Sequence, residues 1–316
     1  MRLIICGNGF DIHHNLKTRY SDYRKYLEEH ASRVLKDFET FQWLNSSCKG
    51  NLWSDLEKTL ALDFHNMIDI YKQYYCEKNG NDEYKVDFAE WTRFIYSFTG
   101  EEFYKWISSI EKDAVKDPNL EGLFNDSVCI TFNYTDTIEC LYNVSQESVL
   151  HIHGSLNNIR DDECFDENIL LPFSSVEEAE IAEKPIIECD KWNSDVIRSE
   201  IQFGAPLSKE DEVHDIFESV PNESIRRDFK VIVEKTTKKL YNNIDKLCAF
   251  LSDKKIDEVI ILGSSLSGAD EMYYSLCLIP MYKDSKWIAY VYSEEDRCEK
   301  ENFFNKYGLI PEYRNW

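Results

Sequence analysis

The chain has 316 residues, 36 of them Lys or Arg and 59 Asp or Glu, for a formal net charge of −23. A chain this acidic repels nucleic-acid backbones and anionic membrane surfaces, so neither a nucleic-acid surface nor membrane binding is expected. Its 43% hydrophobic and 14% aromatic residues suffice for a large core, in one domain or in a core domain that carries an insertion.

The opening residues, Met1-Arg2-Leu3-Ile4-Ile5-Cys6-Gly7, are apolar over too short a stretch for a signal peptide, and no apolar run reaches bilayer length. A cytoplasmic location is expected. The continuous apolar run 3–6, ending in Gly-Asn-Gly, predicts a strand buried on both faces. Residues 21–30 read as a helix.

Residues 46–124 read as a helical insertion. Ser54 and Glu57 have capping-box spacing. Leu56, Leu60, Phe64, Met67, Tyr71 and Tyr74, then Phe88, Trp91, Ile95, Phe98 and Trp106, recur at helical intervals. Such a stripe is read as core rather than as a ligand box.

Strands are predicted at 128–133, 148–153, 257–262 and 287–291, and helices at 136–142, 225–251 and 298–306. Ser267 and Asp270 are expected to cap a further helix. Segment 157–224 is acidic and irregular, with Pro172, Pro185, Pro206 and Pro221. Within it, 201–204 reads as a short strand. Strands that alternate with helices predict an α/β fold with a doubly wound parallel sheet, built from residues 1–45 and 125–316. The ten cysteines include no C-x-x-C pair. The expectation is therefore reduced, mostly buried thiols and no metal.

In an open parallel sheet, ligands gather beyond the C-terminal strand ends. Four predicted strands end in polar or small residues: Gly7-Asn8-Gly9-Phe10-Asp11, Thr131-Phe132-Asn133-Tyr134-Thr135-Asp136, His151-Ile152-His153-Gly154-Ser155 and Gly263-Ser264-Ser265-Leu266-Ser267. All four should meet in one crevice. Gly7 and Gly9 suit a tight turn that lets backbone approach a pyrophosphate, or simply a tight turn. The third glycine of the dinucleotide fingerprint would fall at Ile12. In an extended strand, His151 and His153 would share one face. An imidazole at the crevice edge can exchange protons near neutral pH, although a lone strand histidine is more often a hydrogen-bonded core residue. Asn133 suits a water, a ribose hydroxyl or a helix N-cap. Asp11 suits a turn cap or a hydrogen bond to a hydroxyl or a catalytic water. His13 and His14 either face phosphates or lie on the surface.

Gly7-Asn8-Gly9-Phe10-Asp11 with His14, Leu16, Thr18 and Tyr20-Ser21-Asp22 resembles the opening of the AbiH family of bacteriophage abortive-infection proteins. Phe132-Asn133-Tyr134-Thr135, His151-Ile152-His153-Gly154, and Ile261-Leu262-Gly263-Ser264-Ser265-Leu266-Ser267 with Asp270 continue the resemblance. It implies defence against phage by disabling the infected cell.

More weakly, the same blocks resemble the sirtuin-like, Rossmann-type NAD-binding fold. That second resemblance implies NAD as substrate or ligand. It makes His153 the general base, with Asn133 and Asp11 as the other catalytic residues. The ligand would be held by Gly7, Asn8, Gly9, Phe10, His14, Thr131, Thr135, Asp136, Gly263, Ser264 and Ser265. Two departures stand out. Sirtuin-like proteins have Asp two residues after the Asn, where this chain has Thr135, with Asp136 one further on. The zinc-binding cysteine pairs of the deacylases are missing.

Three functions follow as expectations: an NAD glycohydrolase, a non-catalytic nucleotide sensor, and a metal-dependent nuclease or nucleotide hydrolase using Asp161-Asp162-Glu163 and Asp166-Glu167. The implied partners are a dinucleotide and a phage-derived trigger or partner defence protein, with a homo-oligomer left open. Constant NAD loss would kill the host, so the insertion and the acidic segment are the expected gates.

Overall fold

The computed structural model describes residues 1–41, 53, 56, 97–110, 114–155, 205–206, 237–238, 240–267 and 270–316. Six strands form one parallel sheet: β1 (Arg2–Cys6), β2 (Ser127–Thr131), β3 (Val149–His151), β6 (Glu258–Leu262), β7 (Lys286–Val291) and β8 (Glu312–Asn315). Their order across the sheet is β3-β2-β1-β6-β7-β8. A separate parallel pair joins β4 (Ala205–Pro206) to β5 (Thr237–Lys238).

The central strands carry apolar residues on both sides because helices cover both faces. Leu3 and Ile5 face one core with Val128, Ile130, Val259, Ile261, Trp287 and Ala289, beneath the Leu240–Leu251 and Glu294–Lys306 helices. Ile4 and Cys6 face the other core with Phe10, Cys129, Ile138, Tyr142, Ile260 and Leu262. Burying each large aliphatic side chain in these layers contributes roughly 1.5–3 kcal/mol. The architecture is thus an α/β fold with a single six-stranded parallel sheet flanked by helices.

Several elements differ from the sequence expectation. Strand β3 stops at His151, two residues early, because Ile152 and His153 turn out of the sheet. The helix expected over 225–251 is described only as Leu240–Leu251, and Thr237–Lys238, inside the expected span, is strand β5. The last helix starts at Glu294, four residues before the expected 298, because the Ser293 hydroxyl accepts from the Asp296 amide and caps it. Strand β8 was not anticipated. It is only partly buried and carries polar residues, so it shows no apolar run.

Most of the expected insertion, including the Ser54–Glu57 box, lies outside the described residues, as do 201–204 and both acidic clusters near 161–167. Four described aromatic residues of the expected insertion pack as core with Tyr23 and Phe38, which precede it. Tyr23, Phe38, Trp53, Phe98, Phe103 and Trp106 are all buried. Their rings pack against one another, with Tyr23–Trp106 centroids 4.9 Å apart and Phe38–Phe98 centroids 4.6 Å apart. Among the described residues no helix is long and apolar enough to cross a membrane.

Candidate functional site

The register brings the polar segments to one edge. Cys6 pairs with both Thr131 and Leu262, and Thr131 pairs with His151, so β1, β2, β3 and β6 end level. The segments that follow them are tied together directly. The Gly9 amide donates to the Gly263 carbonyl at 2.8 Å. The Asn133 side-chain amide donates to the Gly7 carbonyl at 3.1 Å. The Ile152 amide donates to the Thr131 carbonyl at 3.0 Å.

The glycines have a packing role that the sequence did not reveal. A Cβ on Gly7 would lie 2.7 Å from Ser264 Cα, and one on Gly9 would lie 2.8 Å from Gly263 Cα. Their bare faces are therefore filled by the turn after β6. Gly263 is itself left-handed, at φ +67°. The helix Asn8–His13 starts directly behind this contact.

Asp11 is the most constrained acid of the edge. It is 1% exposed, and its Oδ2 accepts from the Thr135 hydroxyl at 2.6 Å. That hydroxyl accepts in turn from Thr137 at 3.0 Å. Oδ1 is buried with no partner at hydrogen-bonding geometry among the described residues. Burial raises the carboxyl from 3.8 to about 6. Nearby Thr135, Thr137 and Asn133 and the His151 ring oppose that rise.

The stability consequence has a definite sign. The folded carboxyl holds its proton to a higher pH than the unfolded one, so stability falls as pH rises from about 3.8 to about 6. At roughly 1.4 kcal/mol per pH unit, keeping the charge buried at pH 7 costs about 3 kcal/mol. Asp11→Asn is expected to recover much of that and to flatten the pH profile over this range. Urea unfolding of both proteins from pH 4 to pH 8 checks it, and parallel profiles would refute it.

The histidines separate. The His151 Nδ1 donates to the Asn133 carbonyl at 3.2 Å, and Nε2 lies 2.8 Å from Glu139 Oε1. The turn after β3 sends His153 elsewhere. Its Nε2 lies 3.1 Å from Asp270 Oδ1, and the rings of Phe132 and Tyr273 stand 5.7 Å away. The expectation that both histidines share one face fails because β3 ends before His153. A carboxylate can only accept, so Nε2 carries the hydrogen and Nδ1 is the nitrogen able to take a proton. His153 is 1% exposed.

His14 points inward. It is fully buried; Nδ1 donates to the Phe10 carbonyl at 2.7 Å, and Nε2 accepts from the Tyr142 hydroxyl at 2.7 Å. Burial lowers its pKa. Phe10 is core as well.

A family model described as bacteriophage abortive infection AbiH matches residues 3–291. The chain belongs to the AbiH family. The match begins in β1, ends with the last residue of β7, and spans all four edge segments. No curated protein and no solved structure matches the chain. Membership assigns this AbiH protein to phage abortive infection.

The remaining AbiH edge residues fall into two groups. Thr131 is buried, and its hydroxyl accepts from the Asn133 amide at 3.1 Å. Ser264 is buried, and its hydroxyl accepts from Tyr274 at 2.9 Å. Asn8 and Ser265 are exposed. The Asn8 side chain donates to the Thr18 carbonyl at 3.0 Å. Asp136 is half-buried at the N-terminus of the Thr137–Tyr142 helix.

Two carboxylates take partners that only the fold shows. Asp270 was visible as a helix cap, but it makes no side-chain cap bond and instead pairs with His153. Glu139 gave no sequence signal. Tyr134, beside Asn133, stacks edge-on against Phe103 at 5.1 Å and thereby links the edge to the insertion.

Proposed function

We propose that this AbiH protein hydrolyses NAD at the bond between nicotinamide and ribose, with His153 as general base and Asn133 positioning the ribose or the attacking water. The observation that carries the reading is the His153–Asp270 pair, which follows the level ends of four parallel strands. Such a pair holds an imidazole in one tautomer and leaves its other nitrogen basic. The strand order, which reverses between β1 and β6, supports the sirtuin-like part of the reading by fold analogy. Doubly wound sheets take dinucleotides at such a reversal.

Nicotinamide is a good leaving group, so the chemistry asks for little acid catalysis. A base near the ribose hydroxyls or the attacking water suffices. The glycine turn contributes shape more than cradle, since its bare faces are occupied by Gly263 and Ser264. Incubating purified protein with NAD and measuring free nicotinamide tests the proposal. No release under any activating condition refutes it. Asp270→Asn is expected to lower kcat, with KM little changed and a smaller loss than removal of the imidazole. An unchanged kcat would remove Asp270 from the mechanism.

A second reading is a nucleotide sensor without chemistry. The near-complete burial of both Asp11 and His153 favours it. Ligand-induced thermal stabilisation without product would select it.

A further inference from the structure

Three sulfur atoms meet in the helical layer on the sheet face opposite the Asn8–His13 helix. Cys248 Sγ, on the Leu240–Leu251 helix, lies 3.2 Å from Cys277 Sγ. Cys277 Sγ lies 3.5 Å from Met281 Sδ. The two cysteines are 29 residues apart in sequence, so no motif announces them. Cys277 and Met281 are four residues apart in a helical segment, a spacing that puts both on one side.

Exposure grades outward through the group. Cys277 is 2% exposed, Cys248 is half-buried and Met281 is 40% exposed, so an ion can arrive from solvent at the thioether. Leu247, Leu251, Leu278 and Phe250 belong to the same apolar cluster. The Tyr282 hydroxyl is buried with no hydrogen-bond partner among the described residues. Tyr282 belongs to the same apolar cluster as Cys277, with Cys248 packed against it.

We propose that Cys248, Cys277 and Met281 form a binding site for the soft monovalent cation Cu(I), with the Tyr282 hydroxyl donating to a metal-bound sulfur. Thiolate and thioether ligands together select Cu(I), whereas hard ions need oxygen ligands. Structural zinc takes four ligands from Cys, His or carboxylates. Among the described residues no three His, Cys, Asp or Glu side chains stand together as metal ligands. A lone thiolate is costly in this apolar layer, and a bound cation offsets that cost. Each thiol gives up its proton as the ion binds, so two protons leave per Cu(I) and affinity rises with pH.

The test is an anaerobic titration of reduced full-length protein with Cu(I), competed against the chromophoric chelator bicinchoninate. The wild type is expected to withdraw one more equivalent than the C248S/C277S variant. Met281→Leu and Tyr282→Phe should each weaken that equivalent roughly tenfold or more, the size of effect that supporting groups have at metal sites. Equal uptake by the wild type and the double variant overturns the proposal. If C277S does not fold, C248S and M281L decide the matter, at a half-buried and an exposed position. Unchanged Cu(I) affinity in both would overturn it equally.

Discussion

Alanine at position 153 is expected to lower nicotinamide release by roughly a hundred- to ten-thousand-fold, the range a positioned general base supplies. The reason lies in the geometry around the ring. Asp270 holds hydrogen on Nε2 at 3.1 Å and leaves Nδ1 basic. The rings of Phe132, Tyr134 and Tyr273, with centroids 5.7–6.4 Å away, limit water around it. Alanine removes the base without adding volume. The fold should survive, because His153 lies beyond the end of β3 and outside its register with β2. Turnover measured on variant protein whose circular dichroism matches the wild type separates loss of chemistry from loss of structure. Mass spectrometry of cell nucleotides after induction extends the test: NAD should fall in cells expressing the wild type and hold in cells expressing His153→Ala. Equal turnover by both purified proteins would mean that His153 is not the base.

Gly263→Ala is expected to destabilise the fold by about 2–5 kcal/mol, enough to unfold a marginal domain. Two costs combine. An L-residue held at φ +67° pays about 1–2 kcal/mol. Its Cβ would also sit 2.1 Å from the Phe10 nitrogen and 2.4 Å from the Gly9 carbonyl carbon. These are backbone atoms at the start of a buried helix and cannot yield without moving β1, so about 1–3 kcal/mol of overpacking is added. Gly308 supplies the control. It has the same φ of +67°, but a Cβ there meets nothing within 4 Å. Gly308→Ala should therefore cost only the conformational part, about 1–2 kcal/mol. Urea unfolding of the two variants reads the difference directly. Equal losses would show that the turns after β1 and β6 are not locked together as described.

Five of the six sheet strands were legible because each is a run of apolar residues buried on one or both sides, a local property of the chain. The edge segments were legible for the same reason: they follow those runs and are small or polar. The AbiH resemblance was carried by the same residues, from Gly7 to Asp270. Strand β8 was not legible, since half-buried polar residues at a sheet margin leave no pattern. The length of β3 was missed as well, because only the fold shows that His153 leaves the sheet.

The partners that each edge residue takes lie far away along the chain. Asp11 meets Thr135 across 124 residues, His153 meets Asp270 across 117, and Asn133 meets the Gly7 carbonyl across 126. His14 looked like a crevice residue, but Tyr142, 128 residues on, draws it into the core. Gly7 and Gly9 suited a phosphate turn or simply a tight one, and their bare faces fit Gly263 and Ser264 from the turn after β6. Burial along a strand depends on the residue and its neighbours in sequence, so the chain itself determined the strands and the polar edge. Pairing at the edge depends on which strands lie side by side, and only the tertiary structure decided that.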